Sequence, residues 1–577
     1  MKNFYGALGT NVNSVLNVYL DIDTSDPFAA VDRLPTVALA TAKLHKAFDL
    51  LLTPAAQRYH AQTRSLYLGI RTVTRIVLPF SLVFLRVRIM SVVEPKKAET
   101  VLKNHLKRHE LLSDDSQVCW TVGYSSFEGR GLFATRDIEA GELIFVDNAL
   151  LLSPRNSEKY LPLCVSCYKN ECPLFPCDRG CGLPICSQIC EDSKKHMDHE
   201  CEYLRKLEPT CGTTWSMDLL RALLAVRAIS LDDEQRDVLA IFQCHQNLNN
   251  DCEVTLLRSN VKNAPKVKEI DFMMMVSGIF NTNSFETIVV QDKDHHTSLR
   301  GLYPMGALLN HACVPNTRHH YDSQQQLYVI AVRPISAGEE ITMTYIDLFW
   351  DTILRRQVLS ITKNFFCRCS RCSDPAEHGS LLNALYCAGD YCSGILLPCD
   401  PLNNESAWMC NSCQTIIKSR QIHSIRSGLS SILKENIVKH PREILKFLQK
   451  ELSILIPPSN YLMADIKYSI ISYFGKTEDL LWEDAELAIK SSFCTDLLSI
   501  LNILGCGQCR KRGLLLYELY CTTKEQLRRF QGRNDFKEER LMLFKTMNIE
   551  DNESLLNEVI NIFQNDVVAT TFLNDNC

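Results

Sequence analysis

The chain has 577 residues, of which 46% are hydrophobic and 22% charged, as in ordinary globular proteins. That length predicts several domains. The net charge of −5 gives no general nucleic-acid-binding footprint, which would need a clustered basic face. The longest apolar run, Ile76–Leu85, is far shorter than the ~20 residues that span a bilayer. We therefore expect neither a membrane segment nor a direct nucleic-acid partner.

Cysteine, with 26 residues, is the strong departure from average composition. A secreted disulfide scaffold and an intracellular metal protein are the two explanations. The N-terminal stretch lacks the basic start and sustained apolar core of a secretory signal. Many cysteines fall in short C-x2-C or C-x3-C pairs, which suit zinc better than disulfides. We therefore expect a reducing compartment, namely the cytoplasm, the nucleus or both.

The first part of the chain, residues 1–110, carries no usable motif and is expected to be an N-terminal extension of unknown role. In residues 115–155, Gly129 and Gly131 flank Arg130 and suit a close approach of the backbone. Alternation of the β type follows, and Ala140-Gly141 indicates a turn before the apolar run Leu143–Val146. This segment is predicted to be rich in β-hairpins.

A cysteine-dense block occupies residues 160–205. Zinc takes four soft or borderline ligands in a tetrahedron, and closely spaced pairs supply two ligands from one turn. Three pairs in succession with a His/Cys end favour two zinc ions over a set of free buried thiols. The candidate ligands are Cys164, Cys167, Cys177, Cys181, Cys186, Cys190, His196, His199 and Cys201.

The segments after the cysteine block are predicted to alternate between helical and β-rich parts. Residues 206–270 have helical apolar spacing, which is more typical of core than of a binding groove, and residues 271–350 return to short strands and turns. Residues 420–577 are predicted to be helical again. Between them, in residues 380–418, Cys387-x4-Cys392 and Cys410-x2-Cys413 predict a zinc-ribbon-like segment, with Cys399 as a competing ligand.

The most specific motifs lie between residues 283 and 372. Asn310–Asn316 reads NHACVPN, and Gly338-Glu339-Glu340 stands five residues before Tyr345. With Asn283-Ser284-Phe285 upstream and Cys367-x-Cys369-x2-Cys372 downstream, they resemble the motifs of SET-domain lysine methyltransferases. With the cysteine block inserted, their order is similar to that of the SET and MYND domain (SMYD) family, and in particular to its arthropod SmydA/msta branch. The resemblance covers residues 110–577, roughly four fifths of the chain.

The resemblance implies an α+β multidomain fold. A β-rich SET fold, formed by residues 115–155 and 271–350, would be split by a MYND zinc finger and the helical insertion. A post-SET zinc segment at 351–375 and a C-terminal all-helical domain would follow.

The resemblance also implies how the zinc ligands pair. One MYND site would hold Cys164, Cys167, Cys186 and Cys190, and the other Cys177, Cys181, a histidine and Cys201. The family usually has His-x3-Cys, where this chain has Met197, so the choice between His196 and His199 stays open. Cys313 is implied as the fourth post-SET ligand beside Cys367, Cys369 and Cys372. About three to four zinc ions per chain are expected from these ligand sets.

The cofactor that the resemblance implies is S-adenosylmethionine (SAM), with Tyr345 as the catalytic residue at the methyl-transfer channel. The implied cofactor-binding residues are Gly129, Arg130, Gly131, Asn283, Leu308, Asn310, His311, Tyr345 and Phe365. The alanine of NHAC, where the family usually has serine, removes a possible hydrogen bond, and Ala307 does the same.

Two functions remain open at this point. The first is a SAM-dependent protein-lysine N-methyltransferase acting on a histone or non-histone protein. The second is a catalytically weak or inactive SET-MYND adaptor that recruits proline-containing partner peptides through its MYND finger in transcriptional regulation. Retention of Asn283, Asn310, His311 and Tyr345 favours cofactor binding but does not prove turnover. A monomer is expected.

Overall fold

The computed structural model describes residues 93–114, 118–126, 129–155, 160–242, 252–291, 296–473, 483–531, 549–567 and 569. Residues 1–92 of the expected N-terminal extension lie outside this set. The chain divides into two compact units. Among the described residues, the first unit holds those within Val93–Ile422 and those from residue 435 onward, and the second holds His423–Lys434.

The described strands are short and lie between Trp120 and Met343 and in a small sheet between Leu385 and Ile417. The strands are β1 (Trp120–Tyr124), β2 (Arg130–Ala134), β3 (Leu143–Asp147), β4 (Leu151–Pro154), β5 (Phe175–Pro176), β6 (Pro184–Ile185), β7 (Phe285–Val290), β8 (His296–Leu302), β9 (Asn310–His311), β10 (Thr317–Tyr321), β11 (Leu327–Ala331), β12 (Glu340–Met343), β13 (Leu385–Tyr386), β14 (Ile395–Pro398), β15 (Trp408–Cys410) and β16 (Ile416–Ile417). Their sheets have the orders β1-β2-β12-β9, β10-β11-β3, β4-β8-β7, β5-β6 and β13-β14-β15-β16.

The sheet β1-β2-β12-β9 brings three distant sequence motifs together. The hairpin β1–β2 places Gly131 opposite Gly123. Strand β12 pairs antiparallel with β2 and parallel with β9, with Thr342 opposite Asn310. The Gly-Arg-Gly segment, the Gly-Glu-Glu segment and the Asn-His pair therefore lie on adjacent strands.

The hydrophobic core below these strands includes part of the segment that the sequence placed in the extension. The helix Pro95–Arg108 buries Ala98, Leu102 and Leu106 in the same cluster as Trp120 and Leu132. Its apolar residues recur at i and i+4, so one face of the helix is apolar. At least residues 95–108 therefore belong to the core of the β-rich part.

Helices fill the insertion between the two β-rich parts and the C-terminal region. The insertion holds the α-helices Gln188–Glu191, Glu202–Leu207, Met217–Arg221, Leu223–Ile229, Asp233–Leu239, Cys252–Ser259 and Val267–Asn283, and the π-helix His196–Cys201. Downstream lie Thr352–Lys363, Ser370–Ser373, Ser419–Asn436, Pro441–Phe447, Ser453–Leu455, Tyr461–Tyr473, Asp484–Leu504, Arg510–Gln531 and Ile549–Phe563, with the 3-10 helix Gly306–Leu308 and the π-helix Leu448–Leu452. The predicted α+β multidomain fold with a helical C-terminal region is confirmed.

One helix in the described part of the chain, Asp484–Leu504, is long and apolar enough to cross a membrane by length and composition alone. Half of its apolar window is buried inside the protein. Its Lys490 forms an ion pair of 2.7 Å with Glu518, and both side chains are buried. These surroundings are those of a core helix in a helical domain.

Candidate functional site

A cavity of about 500 Å³ lies where β2, β9 and the helix Thr352–Lys363 meet. This volume is within the range of small-molecule sites. The sequence-predicted residues that line it are Gly129, Arg130, Asn283, Leu308, Asn310, His311, Tyr345 and Phe365. The remaining predicted residue, Gly131, lies directly beneath the Asn310 side chain rather than on the cavity wall.

The side chain of Asn310 braces two strands below the cavity. Its Nδ2 donates to the backbone oxygen of Arg130 at 3.1 Å and to Oε1 of Glu340 at 2.7 Å. A Cβ at Gly131 would stand 2.3 Å from that Oε1 and 2.9 Å from Nδ2 of Asn310. A larger residue at this position would therefore displace the Glu340 carboxylate and the Asn310 amide from the brace.

The Arg130 side chain lines the cavity and also stabilises the framework around it. Its guanidinium donates to the carbonyl oxygens of Val93 and Ile241. Burial lowers the pKa of Arg130. The family resemblance implies a cofactor contact for this residue, and Arg130 lines the cavity while its guanidinium holds two chain segments beside it.

Tyr345 and His311 form one hydrogen-bonded unit. The Tyr345 hydroxyl donates to the Leu309 carbonyl oxygen at 2.6 Å, and the Tyr345 backbone N–H donates to Nδ1 of His311 at 3.1 Å. Because Nδ1 is the acceptor, the proton of a neutral His311 resides on Nε2, which lies 3.2 Å from Sγ of Cys313. Burial lowers the pKa of His311 to about 3, which agrees with a neutral ring.

A second cavity, of about 310 Å³, meets the first at Tyr345. Both cavities are lined by Thr282, Asn283, Ala307, Tyr345 and Lys363. The smaller cavity extends towards Glu286 and towards the ion pair of Arg510 with Asp566, whose atoms are 2.8 Å apart. Two chambers that share one tyrosine suit a reaction between two molecules that enter separately.

The last residue of the helix Thr352–Lys363 lies where the two cavities meet. The helix begins with the Asp351 carboxylate, which accepts the Leu354 N–H, and ends where Asn364 adopts a left-handed conformation with φ 59°. Asparagine tolerates this conformation at the end of a helix. The turn places Lys363 and Phe365 in the cavity lining.

Four groups of cysteine and histidine ligands lie around this framework. Within each group all four ligand atoms are within 4.8 Å of one another. A tetrahedron with arms of about 2.3 Å has ligand–ligand edges of about 3.8 Å. The Sγ–Sγ distances of 3.5 Å for Cys167–Cys186, 3.9 Å for Cys177–Cys201, 3.8 Å for Cys313–Cys367 and 3.6 Å for Cys392–Cys410 match such edges. The donor sets and their spacing fit zinc.

The groups gather the candidate ligands as follows: Cys164, Cys167, Cys186 and Cys190; Cys177, Cys181, His196 and Cys201; Cys313, Cys367, Cys369 and Cys372; and Cys387, Cys392, Cys410 and Cys413. His199 is in none of them. It is exposed, whereas His196 is fully buried. The inclusion of His199 is corrected by the π-helix His196–Cys201, in which residues i and i+5 share a face.

A buried carboxylate supports the second MYND group. Nδ1 of His196 lies 3.3 Å from Oε1 of Glu200, and Arg227 donates to both oxygens of Glu200 at 3.2 Å and 3.0 Å. Although burial alone raises a carboxyl pKa, the Arg227 charge holds the pKa of Glu200 below its usual range. Such partners fix the tautomer and orientation of a histidine ligand.

Three positions of importance were missed in the sequence. Glu200 stands four residues after His196, so a search for a carboxylate near each histidine ligand could have found it. Arg227 lies in another helix, and nothing local signals it. Lys363 precedes the motif Cys367-x-Cys369-x2-Cys372, but the position of its side chain in the cavity lining depends on the turn at Asn364.

Comparison with known proteins agrees with this arrangement. The family model "SET domain" matches residues 129–346. The chain is 32% identical over 411 residues to the SET domain-containing protein SmydA-8, isoform B, of Drosophila melanogaster, covering 69% of this chain and 90% of that protein. It is 25% identical over 272 residues to the histone-lysine N-methyltransferase SMYD3 of Mus musculus, covering 44% of this chain and 61% of that protein.

Among solved structures, the SET domain of LSMT bound to lysine and AdoHcy aligns with 78% of this chain and 98% of its own. The sequence identity is 12% and the TM-score 0.28.

Proposed function

The chain belongs to the SET and MYND domain family, in its SmydA branch, and on that premise we propose that it is a SAM-dependent protein-lysine N-methyltransferase. The observation that carries the proposal is the meeting of two cavities at Tyr345. One chamber would hold the cofactor and the other the lysine side chain of a histone or non-histone protein. When bound, SAM supplies a methyl group that is open to attack by a neutral amine.

The larger cavity fits the cofactor by its size and by its mixture of aromatic, amide and backbone groups. Phe365 offers a ring face for the adenine, and Asn283 an amide for the amino-acid end. Gly129, Arg130, Leu308, Asn310 and His311 complete the wall, while Gly131 allows the close approach of the Asn310 and Glu340 side chains. Positioning of two reactants in this way supplies most of the rate enhancement in a displacement reaction.

Tyr345 would orient the acceptor amine. Its hydroxyl is held by the Leu309 carbonyl oxygen, and its backbone by His311. An ammonium has no lone pair, and burial of a lysine favours its neutral form, so a closed channel would help the amine to lose its proton to water. The zinc ions at the four ligand groups would be structural.

The same proposal covers partners, location and domain limits. The protein would meet its substrate in the cytoplasm, the nucleus or both, and the MYND finger would bind proline-containing peptides. Residues 206–270 would serve as the helical insertion, and 380–418 as the zinc-ribbon-like segment. The protein would act as a monomer.

The test combines calorimetric titration with SAM and a labelled-methyl transfer assay on cell-extract proteins. We expect SAM binding, and a fall in transfer of about 100-fold or more for Tyr345→Phe with SAM binding retained, because the hydroxyl that positions the amine is lost. Tyr391→Phe is the matched control, since Tyr391 is fully exposed in the small sheet region. Absence of SAM binding contradicts the proposal. SAM binding without methyl transfer, in both the wild-type and the Tyr345→Phe protein, favours the adaptor.

A further inference from the structure

A lysine of the chain itself stands at the junction of the two cavities. Lys363 lines both of them, as does Tyr345. Its Nζ lies 5.2 Å from the centroid of the Tyr345 ring and donates to the Thr282 carbonyl oxygen at 2.6 Å. A primary amine is therefore held beside Tyr345, the residue that we propose orients the acceptor amine.

The ends of two helices fix the position of this amine. Lys363 is the last residue of the helix Thr352–Lys363, and the left-handed Asn364 turns the chain away behind it. Thr282 lies in the last turn of the helix Val267–Asn283, where carbonyl groups lack intrahelical donors and are open to other partners. The Lys363 amine is held by an uncharged acceptor.

The surroundings favour the neutral form of this amine. No aspartate or glutamate is among the described residues that line the larger cavity, whereas the smaller cavity is lined by Glu286 and by Asp566, which is paired with Arg510. Burial lowers the pKa of Lys363. A larger share of the amine is thus without its extra proton than for an exposed lysine, and only that share can attack a carbon atom.

We propose that Lys363 is a methyl-acceptor site within the chain, methylated in the protein's own cavity. The proposal rests on the proposed function. The Lys363 ammonium first loses a proton to water. The lone pair of Nζ then forms a bond to the methyl carbon of SAM while the bond between that carbon and sulfur breaks. The electron pair of the broken bond stays on sulfur, which becomes a neutral thioether, and the positive charge passes to the methylated nitrogen.

The test uses the purified full-length chain incubated with SAM that carries a deuterated methyl group. Peptide mass spectrometry should find the label on Lys363 and none on Lys418, an exposed lysine of the same chain. The deuterated group separates transfer in the test from methyl groups already present. Labelling of Lys363 should be first order and independent of protein concentration, because donor and acceptor belong to one molecule.

A mixture of the wild-type chain with a Tyr345→Phe chain grown on heavy nitrogen, which gives its peptides a distinct mass, tests whether the reaction is intramolecular. We expect the label on Lys363 of the wild-type chain alone. Label on Lys363 of the Tyr345→Phe chain would overturn the proposal, since transfer would then come from another molecule or need no Tyr345.

Calorimetry on the same samples separates this inference from the proposed function. If SAM does not bind, the proposed function fails and the inference with it. If SAM binds and extract proteins are methylated while Lys363 stays unlabelled, the inference alone is overturned. An unlabelled Lys363 together with a loss of SAM affinity in Lys363→Met would instead identify the amine as an anchor for the cofactor's carboxylate, which also overturns it.

Discussion

Two of the four-cysteine ligand groups lie in opposite surroundings. They are the post-SET group and the ribbon group, which consists of Cys387, Cys392, Cys410 and Cys413. All four ligands of the post-SET group, Cys313, Cys367, Cys369 and Cys372, are buried. In the ribbon group only Cys410 is buried, and Cys413 is exposed. The same set of ligands therefore lies inside the core in one case and near solvent in the other.

The neighbours of the two groups differ even more. In the post-SET group, Cys313 lies 3.2 Å from Nε2 of His311, whose other nitrogen accepts the Tyr345 N–H. Arg355, which pairs with the buried Glu377, lies 3.5 Å from Sγ of Cys372. In the ribbon group, the described partners of the sulfur atoms are mainly nearby backbone N–H groups, such as that of Gly394 to Cys392 at 3.4 Å. The ligand residues therefore predict which metal binds, whereas the residues around the ligands determine which part of the protein the metal stabilises.

The largest effect is expected from Cys313→Ser. Loss of one buried ligand should release the post-SET zinc and lower the free energy of unfolding by more than about 4 kcal/mol, which is the range for a lost structural metal. SAM binding should disappear as well, because His311 and Tyr345 lose their support. Metal analysis, thermal unfolding and calorimetry measure the three effects.

Cys413→Ser is the matched control for that variant. It should also reduce the zinc content from four ions to three, yet leave SAM binding unchanged, since none of the ribbon ligands lines the cavity in the described part of the chain. Equal loss of SAM binding in both variants would contradict the distinction between the two groups.

A smaller effect is expected from adding one methyl group beside each region. Gly131→Ala would set its Cβ 2.3 Å from Oε1 of Glu340, and Gly394→Ala would set its Cβ 2.6 Å from Sγ of Cys410. Overpacking of this kind costs about 1–3 kcal/mol. Gly131→Ala should weaken SAM binding about tenfold by disturbing the Asn310 brace, whereas Gly394→Ala should speed release of the ribbon zinc to a chelator.

Gly389→Ala serves as the control for the ribbon. A Cβ there would approach Sγ of Cys387 only to 3.4 Å, which is ordinary contact. Zinc release at the wild-type rate is expected. Similar SAM affinities for Gly131→Ala and Gly394→Ala would show that the brace does not shape the cavity.

Motifs that are contiguous in sequence could be predicted well. The stretch Asn310–Cys313 carries both the cavity wall and a zinc ligand within four residues, so its local pattern contained the information. The pairing of Cys164 with Cys186 came from family resemblance, and the structure brings these residues into one group. The ribbon ligands were predicted from spacing alone and likewise form one group.

Features that depend on backbone irregularity or distant contacts could not be predicted. The choice of His196 over His199 depends on a π-helix, in which the ligand spacing is five instead of four. The aim of Lys363 depends on the left-handed turn at Asn364. The acceptors of the Arg130 guanidinium, the Val93 and Ile241 carbonyl oxygens, are far away in sequence, and no local pattern signals them.

The second MYND group shares one property with each of the two groups compared above. Its four ligands are buried as in the post-SET group. Its support, however, comes from Glu200 and Arg227, and neither residue lines the larger cavity among the described residues. If the residues around a zinc site determine which part of the protein the ion stabilises, a substitution at Glu200 or Arg227 should lower zinc affinity without changing SAM binding in the cavity.

Glu200→Gln tests that expectation, and its effect should be confined to one metal site. The amide oxygen can still accept from His196, but the negative charge that faces the ring and Arg227 is lost. Zinc affinity at this group should fall 10- to 100-fold, the range for loss of such a partner, as measured by competition with a chelator. Asp198→Asn, an exposed carboxylate change in the same π-helix, should leave the affinity unchanged. SAM binding should persist in both variants, and its loss in Glu200→Gln would mean that the finger supports the cavity as the post-SET group does.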